Sequence, residues 1–329
     1  MDLSIIIINW HSADYIKKCL LTIYENLKDL TFEVIIVDNA SYDISEQFLK
    51  KQHPGIIYVQ SPENIGFGRA NNLGFKYSSG EYLLFLNPDT EITDSAINIM
   101  FNYMQSLSNA GVVGCKLLNS DTSIQTSCIR AFPTILNQSL DSDYLKLTFR
   151  KLDLWGIKPL FDNDPNPVEV DVISGACIMI RRGVFEEIGL FSRDYFMYSE
   201  DVDLCYRVKQ KGYKIYYIGG AIIIHHGGGS SETISDFYST LVKQESRIIF
   251  FNKTKGKLYA TIYKMSMFFV SIARIMIILT MLPVERLLLK KNINLPHALK
   301  KNIKLLKWTI GLEEWTKQLE YNRSSDAIT

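Results

Sequence analysis

Residues 198–207 read Y-S-E-D-V-D-L-C-Y-R, and they concentrate carboxylates where chemistry can use them. Three acids in the first turn of a helix are favoured by its macrodipole, which is reason enough for their presence. Helical spacing nonetheless separates them. Glu200, Asp203 and Arg207 share one face, whereas Asp201 lines up with Leu204, Cys205 and Val208 on the apolar face. A carboxylate at the head of a buried stripe, beside a helix N-terminus, stays ionised yet partly desolvated and can take a proton from an attacking hydroxyl. Asp201 is therefore the candidate general base, with Glu200 as a secondary candidate.

Other motifs admit a plain reading and a chemical one. In V-D-N-A-S (37–41), Asp38 or Asn39 either caps the next helix or offers a carboxylate to a nucleotide's base or ribose. N-I-G-F-G-R-A-N-N (64–72) is either a turn or a glycine-softened helix start, with amides and Arg69, suited to a diphosphate. In N-P-D-T (87–90), after an apolar strand, Asp89 is either a turn residue or a ligand holding a divalent cation against phosphate oxygens. I-H-H-G-G-G-S-S (224–231) offers an imidazole for the same metal, and its glycines a loop able to close over a phosphate.

Positioning such residues at one edge requires a parallel α/β sheet, and the first hundred residues show its pattern of short β-branched runs alternating with helical stretches. Strands are expected at 3–9, 33–37, 56–59 and 82–86, and helices at 13–27, 41–51, 69–77 and 95–105. In such sheets ligands bind at the carboxyl ends of the strands. Further strands are expected at 112–116, 170–180, 214–218 and 221–225, with a helix at 199–210. Residues 131–167, with four prolines and several aromatics, read as an irregular region suited to gripping an acceptor.

The net charge of +1 conceals an asymmetry: up to Asn252 there are 22 Lys and Arg against 30 Asp and Glu, and after it 14 against 5. An acidic catalytic domain, 1–252, is thus followed by a basic helical extension, 253–329, of the kind that meets an anionic surface. Five scattered cysteines with no C-x-x-C pair or zinc spacing point to a reducing cytoplasm. Asp2 before a short apolar run marks a first strand rather than an export signal.

In this order, V-D-N-A-S, N-x-G-F-G-x-A-N-N, L-N-P-D, S-G-A-C-I-M-I-R-R, F-M-Y-S-E-D-V-D-L-C-Y-R and H-H-G-G-G-S-S resemble the family-2 glycosyltransferases, in particular the bacterial rhamnosyltransferase-like branch, over about residues 3–251. The resemblance implies a GT-A (Rossmann-like) nucleotide-sugar-binding domain, Mg²⁺ or Mn²⁺, and inversion at the anomeric carbon. It implies a dTDP- or UDP-linked donor, with dTDP-L-rhamnose in front. Carried onto this chain, it makes Asp38, Asn64, Gly66, Arg69, Asn71 and Asn87 the donor-binding set, Asp89 the metal carboxylate and Asp201 the base. His225 fits H-x-G-G-x-S as a ligand of metal or diphosphate, with His226 the second choice. The family's D-x-D reads Asn87, Pro88, Asp89, so only its last acid survives and weight shifts to the diphosphate and histidine. The Q-x-x-R-W segment of processive members does not occur, which implies transfer of one residue or a few.

Residues 265–282 are apolar apart from small polar residues and Arg274 in their middle. A central arginine costs about 2.5 kcal/mol in a membrane span, so a helix packed on the protein or lying in the membrane interface is expected instead. Lys253, Lys255, Lys257 and Lys264 before it, Arg286, Lys290 and Lys291 after it, and Lys300, Lys301, Lys304 and Lys307 further on favour the interface. The acceptor is then a growing, lipid-linked glycan met at the inner face of the plasma membrane. The competing enzyme reading, a nucleotidyltransferase acting on sugar phosphates, calls for a Gly-rich triphosphate loop with Lys or Arg near the first strand, where Asn9, Trp10 and His11 stand. No nucleic-acid-binding module is recognisable, and such a reading leaves Asp201 unexplained.

Overall fold

The structure, a computed structural model, describes residues 1–162, 164–227, 236–288 and 295–313. Aliphatic runs buried on both faces make the parallel strands β1 (Leu3–Asn9), β2 (Phe32–Asn39), β3 (Ile57–Ser61) and β4 (Tyr82–Leu86). Ile5, Ile6, Ile35, Ile36, Leu84 and Phe85 are wholly buried in them. Helices α1 (Ala13–Asn26), α2 (Glu46–Gln52) and α3 (Phe67–Phe75) connect these strands. Then follow β5 (Thr90–Ile92), α4 (Ala96–Ser106), β6 (Ala110–Leu118), β7 (Ile129–Arg130) and the short helices α5 (Ile135–Ser139) and α6 (Asp143–Thr148). Next come β8 (Pro167–Glu169), β9 (Val172–Ile173), β10 (Cys177–Arg181), α7 (Arg182–Glu187), α8 (Glu200–Gln210) and β11 (Lys214–His225).

The main sheet runs β3-β2-β1-β4-β10-β6-β11-β5, with β8 added on β11, while β7 and β9 form a separate antiparallel pair. It is the mostly parallel α/β sheet that the alternation of runs implied. Two reversals matter to function. β10 lies antiparallel between β4 and β6, so its N-terminal end reaches the edge where the parallel strands finish. β5 turns back against β11, pairing Thr90 with His225.

Three expected elements differ. The helix expected at 41–51 begins only at Glu46, because Ala40 and Tyr42 have positive φ and the 41–42 backbone donates to Asp38; Ser45 then caps the helix at Phe48. The strand expected at 170–180 is divided into β9 and β10, separated by the turn at Ser174, Gly175 and Ala176. The two strands expected at 214–218 and 221–225 are one, β11, whose pairing to β6 shifts register between Ile218 and Ile222 around Gly219 and Gly220.

Two compact units emerge: Met1–Phe132 with Asp141–Ile234, which holds both sheets, and Pro133–Leu140 with Ser235–Thr329. The second contains α5 and the helices α9 (Asp236–Thr254), α10 (Lys257–Leu288) and α11 (Leu295–Thr309). Position 252, where the charge balance changes, lies inside α9. Within this unit Trp308 is fully buried and donates to Glu245 at 2.6 Å, and Lys264 stacks over its ring. α10 is long and apolar enough, by length and composition, to cross a membrane, yet only 22% of its apolar window is buried. The central Arg274 donates to the Ser139 carbonyl at 3.0 Å, so the protein satisfies this charge itself.

Candidate active site

The carboxyl edge of β2 is a closed polar network. Asp38, wholly buried, accepts from Asn9 Nδ2 at 2.8 Å, Ser41 N at 3.3 Å and Tyr42 N at 2.9 Å. Next to it Asn39 and Asn64 hold each other: Asn39 Nδ2 donates to Asn64 Oδ1 at 2.8 Å, and Asn39 Oδ1 accepts from Ile65 N at 3.0 Å. Asn64 Oδ1 also accepts from Gly66 N at 3.0 Å, which fixes the entry to α3. Gly66 has φ +81°, and a Cβ there would meet the Phe196 carbonyl oxygen at 2.2 Å. Only glycine meets both demands.

That contact joins the 64–69 loop to the turn before α8. Phe67 N donates to Phe196 O at 3.0 Å, and Arg69 donates through Nε and a terminal nitrogen to Arg193 O at 3.1 and 2.9 Å. Asn71 is buried, donates to Phe67 O at 3.0 Å and keeps its Oδ1 without a protein partner. The sequence motifs at 64–72 and 198–207 are thus neighbours in space.

Tyr198 and Ser199 both have positive φ, a sparsely populated conformation for non-glycine residues, immediately before Glu200 and Asp201. Asp201 Oδ2 accepts from Arg130 at 2.5 Å and from Gly175 N at 3.0 Å; Oδ1 accepts from Val202 N at 2.8 Å. Glu200 is as buried as Asp201, and its Oε2 has no hydrogen-bond partner. Burial, and then the charge of Asp201, push its carboxyl up to about 8, so it holds its proton at neutral pH. Asp203, as its spacing implied, pairs with Arg207 at 2.7 Å and accepts from Tyr195 OH at 3.2 Å.

The β10 reversal brings this helix to the end of β4. Asn87 N donates to Ala176 O at 2.9 Å, one residue from the Gly175 amide that holds Asp201. The β5 reversal brings the imidazole: His225 Nε2 lies 3.2 Å from Asp89 Oδ1 and 3.2 Å from Asn87 Nδ2. His226 turns elsewhere, to Glu91 at 2.8 Å and Ser120 at 2.7 Å. Among the described residues no group of three or more His, Cys, Asp or Glu is gathered to hold a metal. A carboxylate and an imidazole suit Mg²⁺ or Mn²⁺ as a partial set that takes its remaining ligands from diphosphate oxygens. The glycine loop at 228–231 lies outside the described residues, as do Lys290 and Lys291.

Two residues here escaped the sequence reading. Arg130, on β7, lies 71 positions from the acid it pairs with, and Gln125, whose Oε1 is 2.7 Å from His225 Nδ1, lies 100 positions from its histidine. Neither belongs to a motif, so no local pattern marks them.

The mixed, mostly parallel sheet, with its acids gathered at the strand ends, is a fold of the GT-A kind. The chain belongs to Glycosyl transferase family 2, whose profile matches residues 4–189; that of Glycosyl transferase family group 2 matches 148–288. The low-salt glycan biosynthesis hexosyltransferase Agl10 of Haloferax volcanii is 32% identical over 218 residues, 65% of this chain and 64% of that protein. Rhamnosyltransferase WbbL of Escherichia coli is 28% identical over 221 residues, 65% of this chain and 79% of that one. An N-acetylglucosaminyl-diphospho-decaprenol L-rhamnosyltransferase of Mycobacterium tuberculosis is 26% identical over 200 residues, 57% of this chain and 64% of that one. The fold is shared with the mannosyltransferase PcManGT of Pyrobaculum calidifontis, solved with GDP-Man and Mn²⁺, at a TM-score of 0.52, 16% identity and coverage of 99% and 80% of the two chains.

Proposed function

We propose that this protein moves a glycosyl residue, with L-rhamnose from dTDP-rhamnose the leading donor, onto a hydroxyl of a growing lipid-linked glycan, inverting the anomeric centre. The observation that carries it is the convergence of Asp89 and His225, 3.2 Å apart, with Asp201, placed through Gly175 one residue from the Asn87 anchor. Two relatives are rhamnosyltransferases, one of them acting on N-acetylglucosaminyl-diphospho-decaprenol, and both support this reading.

Asp89 and His225, with Asn87 beside them, are the residues that would hold Mg²⁺ or Mn²⁺, which supplies charge neutralisation for the departing diphosphate. The Asn64–Asn39 lock and Gly66 shape the loop on which the donor lies, with Asp38 holding that edge together, and Arg69 and Asn71 flanking it. Asp201 takes the acceptor proton. Its Oδ2 is committed to Arg130 and Gly175, so Oδ1, which accepts only the Val202 amide, is the oxygen with room for it. One in-line displacement then needs no covalent enzyme intermediate.

The basic helical unit is the membrane contact. Leu258, Ile262, Met265, Phe269 and Met276 recur at helical spacing along α10 and are all exposed. Lysines 253, 255, 257 and 264 precede or interrupt the stripe, a pattern suited to an anionic leaflet rather than to a full span. The five free, buried cysteines accord with catalysis on the cytoplasmic side.

Purified full-length protein incubated with a panel of nucleotide sugars, Mg²⁺ or Mn²⁺ and a membrane lipid extract should release nucleoside diphosphate from one donor. Absence of both binding and turnover for every donor would sink the assignment. In flotation with anionic vesicles at low salt, wild type should rise with the lipid and a Met265→Glu, Phe269→Glu variant should stay behind. A wild type that ignores the vesicles refutes the membrane contact.

A further inference from the structure

His225 ends β11 and His226 follows it, and the loop after β6 grips both, in opposite ways. Asn119 N donates to Ser123 O at 2.8 Å and Gln125 N to Leu117 O at 3.0 Å, so residues 119–125 form a tied turn. From it the Gln125 side chain reaches His225. Its Nε2 donates to Asn119 Oδ1 at 2.9 Å and to His225 O at 3.3 Å. Both partners are acceptors, so the amide's orientation is fixed by its surroundings, and Oε1 is the end turned to His225 Nδ1 at 2.7 Å. A carbonyl oxygen can only accept. Nδ1 of His225 therefore carries the hydrogen; the Asn87 Nδ2 at 3.2 Å from Nε2 can only donate, which makes Nε2 the ring's acceptor, 3.2 Å from Asp89 Oδ1.

His226 has the reverse arrangement. Its Nε2 faces the Glu91 carboxylate at 2.8 Å, an acceptor, and its Nδ1 faces the Ser120 hydroxyl at 2.7 Å, which can donate. Both nitrogens are spent on the protein, and the lone pair points away from Asp89.

We propose that Gln125 is a positioning residue for the cation site: it locks His225 in the Nδ1–H form, so that the Nε2 lone pair and the Asp89 carboxylate converge on one divalent cation, while Ser120 and Glu91 withhold His226. An imidazole whose far nitrogen donates to an oxygen is oriented and made a better ligand, and removing such a partner costs roughly 10- to 100-fold in metal affinity. The inference rests on the glycosyl-transfer reading for the cation's purpose, but the tautomers themselves do not.

The test uses full-length protein labelled with ¹⁵N-histidine, its ring signals assigned with His225→Gln and His226→Gln variants. Wild type should show His225 as Nδ1–H and His226 as Nε2–H. Mn²⁺ titrated in the presence of dTDP or UDP, with free Mn²⁺ read by electron paramagnetic resonance, should bind 10- to 100-fold more weakly to Gln125→Leu. Gln125→Glu keeps an oxygen to accept from Nδ1 but loses the donor to Asn119 Oδ1 and His225 O, and should retain the Nδ1–H tautomer. An Nε2–H signal for His225 in wild type overturns the proposal without any variant, and so does undiminished Mn²⁺ affinity in Gln125→Leu. Donor turnover by wild type, followed in the same preparation, separates these failures from failure of the transferase reading, which would abolish turnover itself.

Discussion

Two groups of acids sit at the sheet's carboxyl edge and are built on opposite principles. Around Asp38 each carboxylate oxygen has donors from the protein, and Asn39 and Asn64 consume each other. Around Asp201 the accounts stay open: Glu200 Oε2, Arg130 Nε and Asn71 Oδ1 are buried polar atoms without partners. A buried unsatisfied polar atom costs roughly 1–3 kcal/mol. Asp201 itself has three donors, as Asp38 has, so the two regions differ in the polar atoms around the acid rather than in the acid. Both aspartates are buried; the unpartnered neighbours Glu200, Arg130 and Asn71 tell the regions apart.

The contrast should break most visibly at Asp201, the proposed base. Asp201→Asn keeps the shape and removes the proton acceptor, so nucleoside-diphosphate release should fall on the order of 10³-fold with donor affinity nearly unchanged. A modest loss of rate with a large loss of affinity would place Asp201 among the scaffold acids. Asp38→Ala should do the reverse. It leaves Asn9 and two backbone amides without their acceptor, and the urea midpoint should report a loss of about 3 kcal/mol.

Glu200→Gln sharpens the comparison through pH. The wild-type carboxyl is raised from 4.5 to about 8 in the folded protein, so between those values the folded chain holds a proton that the unfolded chain has released. Its contribution to stability therefore declines as pH rises, by at most about 1.4 kcal/mol per unit, and levels off above the folded value. The variant lacks this decline, so its advantage in urea midpoint over wild type should widen from pH 5 to pH 8. Parallel profiles would mean that Glu200 is as ionised as any surface acid. Gly66→Ala should give the smallest effect, about 2 kcal/mol from the positive φ and the Phe196 carbonyl, with donor affinity weakened by the displaced loop.

Much of this was legible in the linear chain. β1 and β4 fall at their expected bounds, because a strand buried on both faces is a continuous aliphatic run that nothing else resembles. The separation of Asp201 from Asp203 followed from helical spacing alone, and the ion pair of Asp203 with Arg207 fulfils it. Less legible was the burial of Glu200, since a helix wheel ranks faces relative to one another while the 64–69 loop covers this one. A Cβ built on Gly68 would stand 3.6 Å from Glu200 Cβ.

By itself, then, the sequence determined the local elements, the order of the strand-end motifs and the identity of the acids, because spacing and turn chemistry act over a few residues. Tertiary structure alone decided which acids are saturated and which stay open, which of two adjacent histidines faces Asp89, and that Arg130 and Gln125 belong to the site. Those outcomes depend on the antiparallel insertion of β10 and the return of β5 onto β11, which pair Cys177 with Leu86 across 91 positions and His225 with Thr90 across 135. No local preference in the chain encodes contacts of that range.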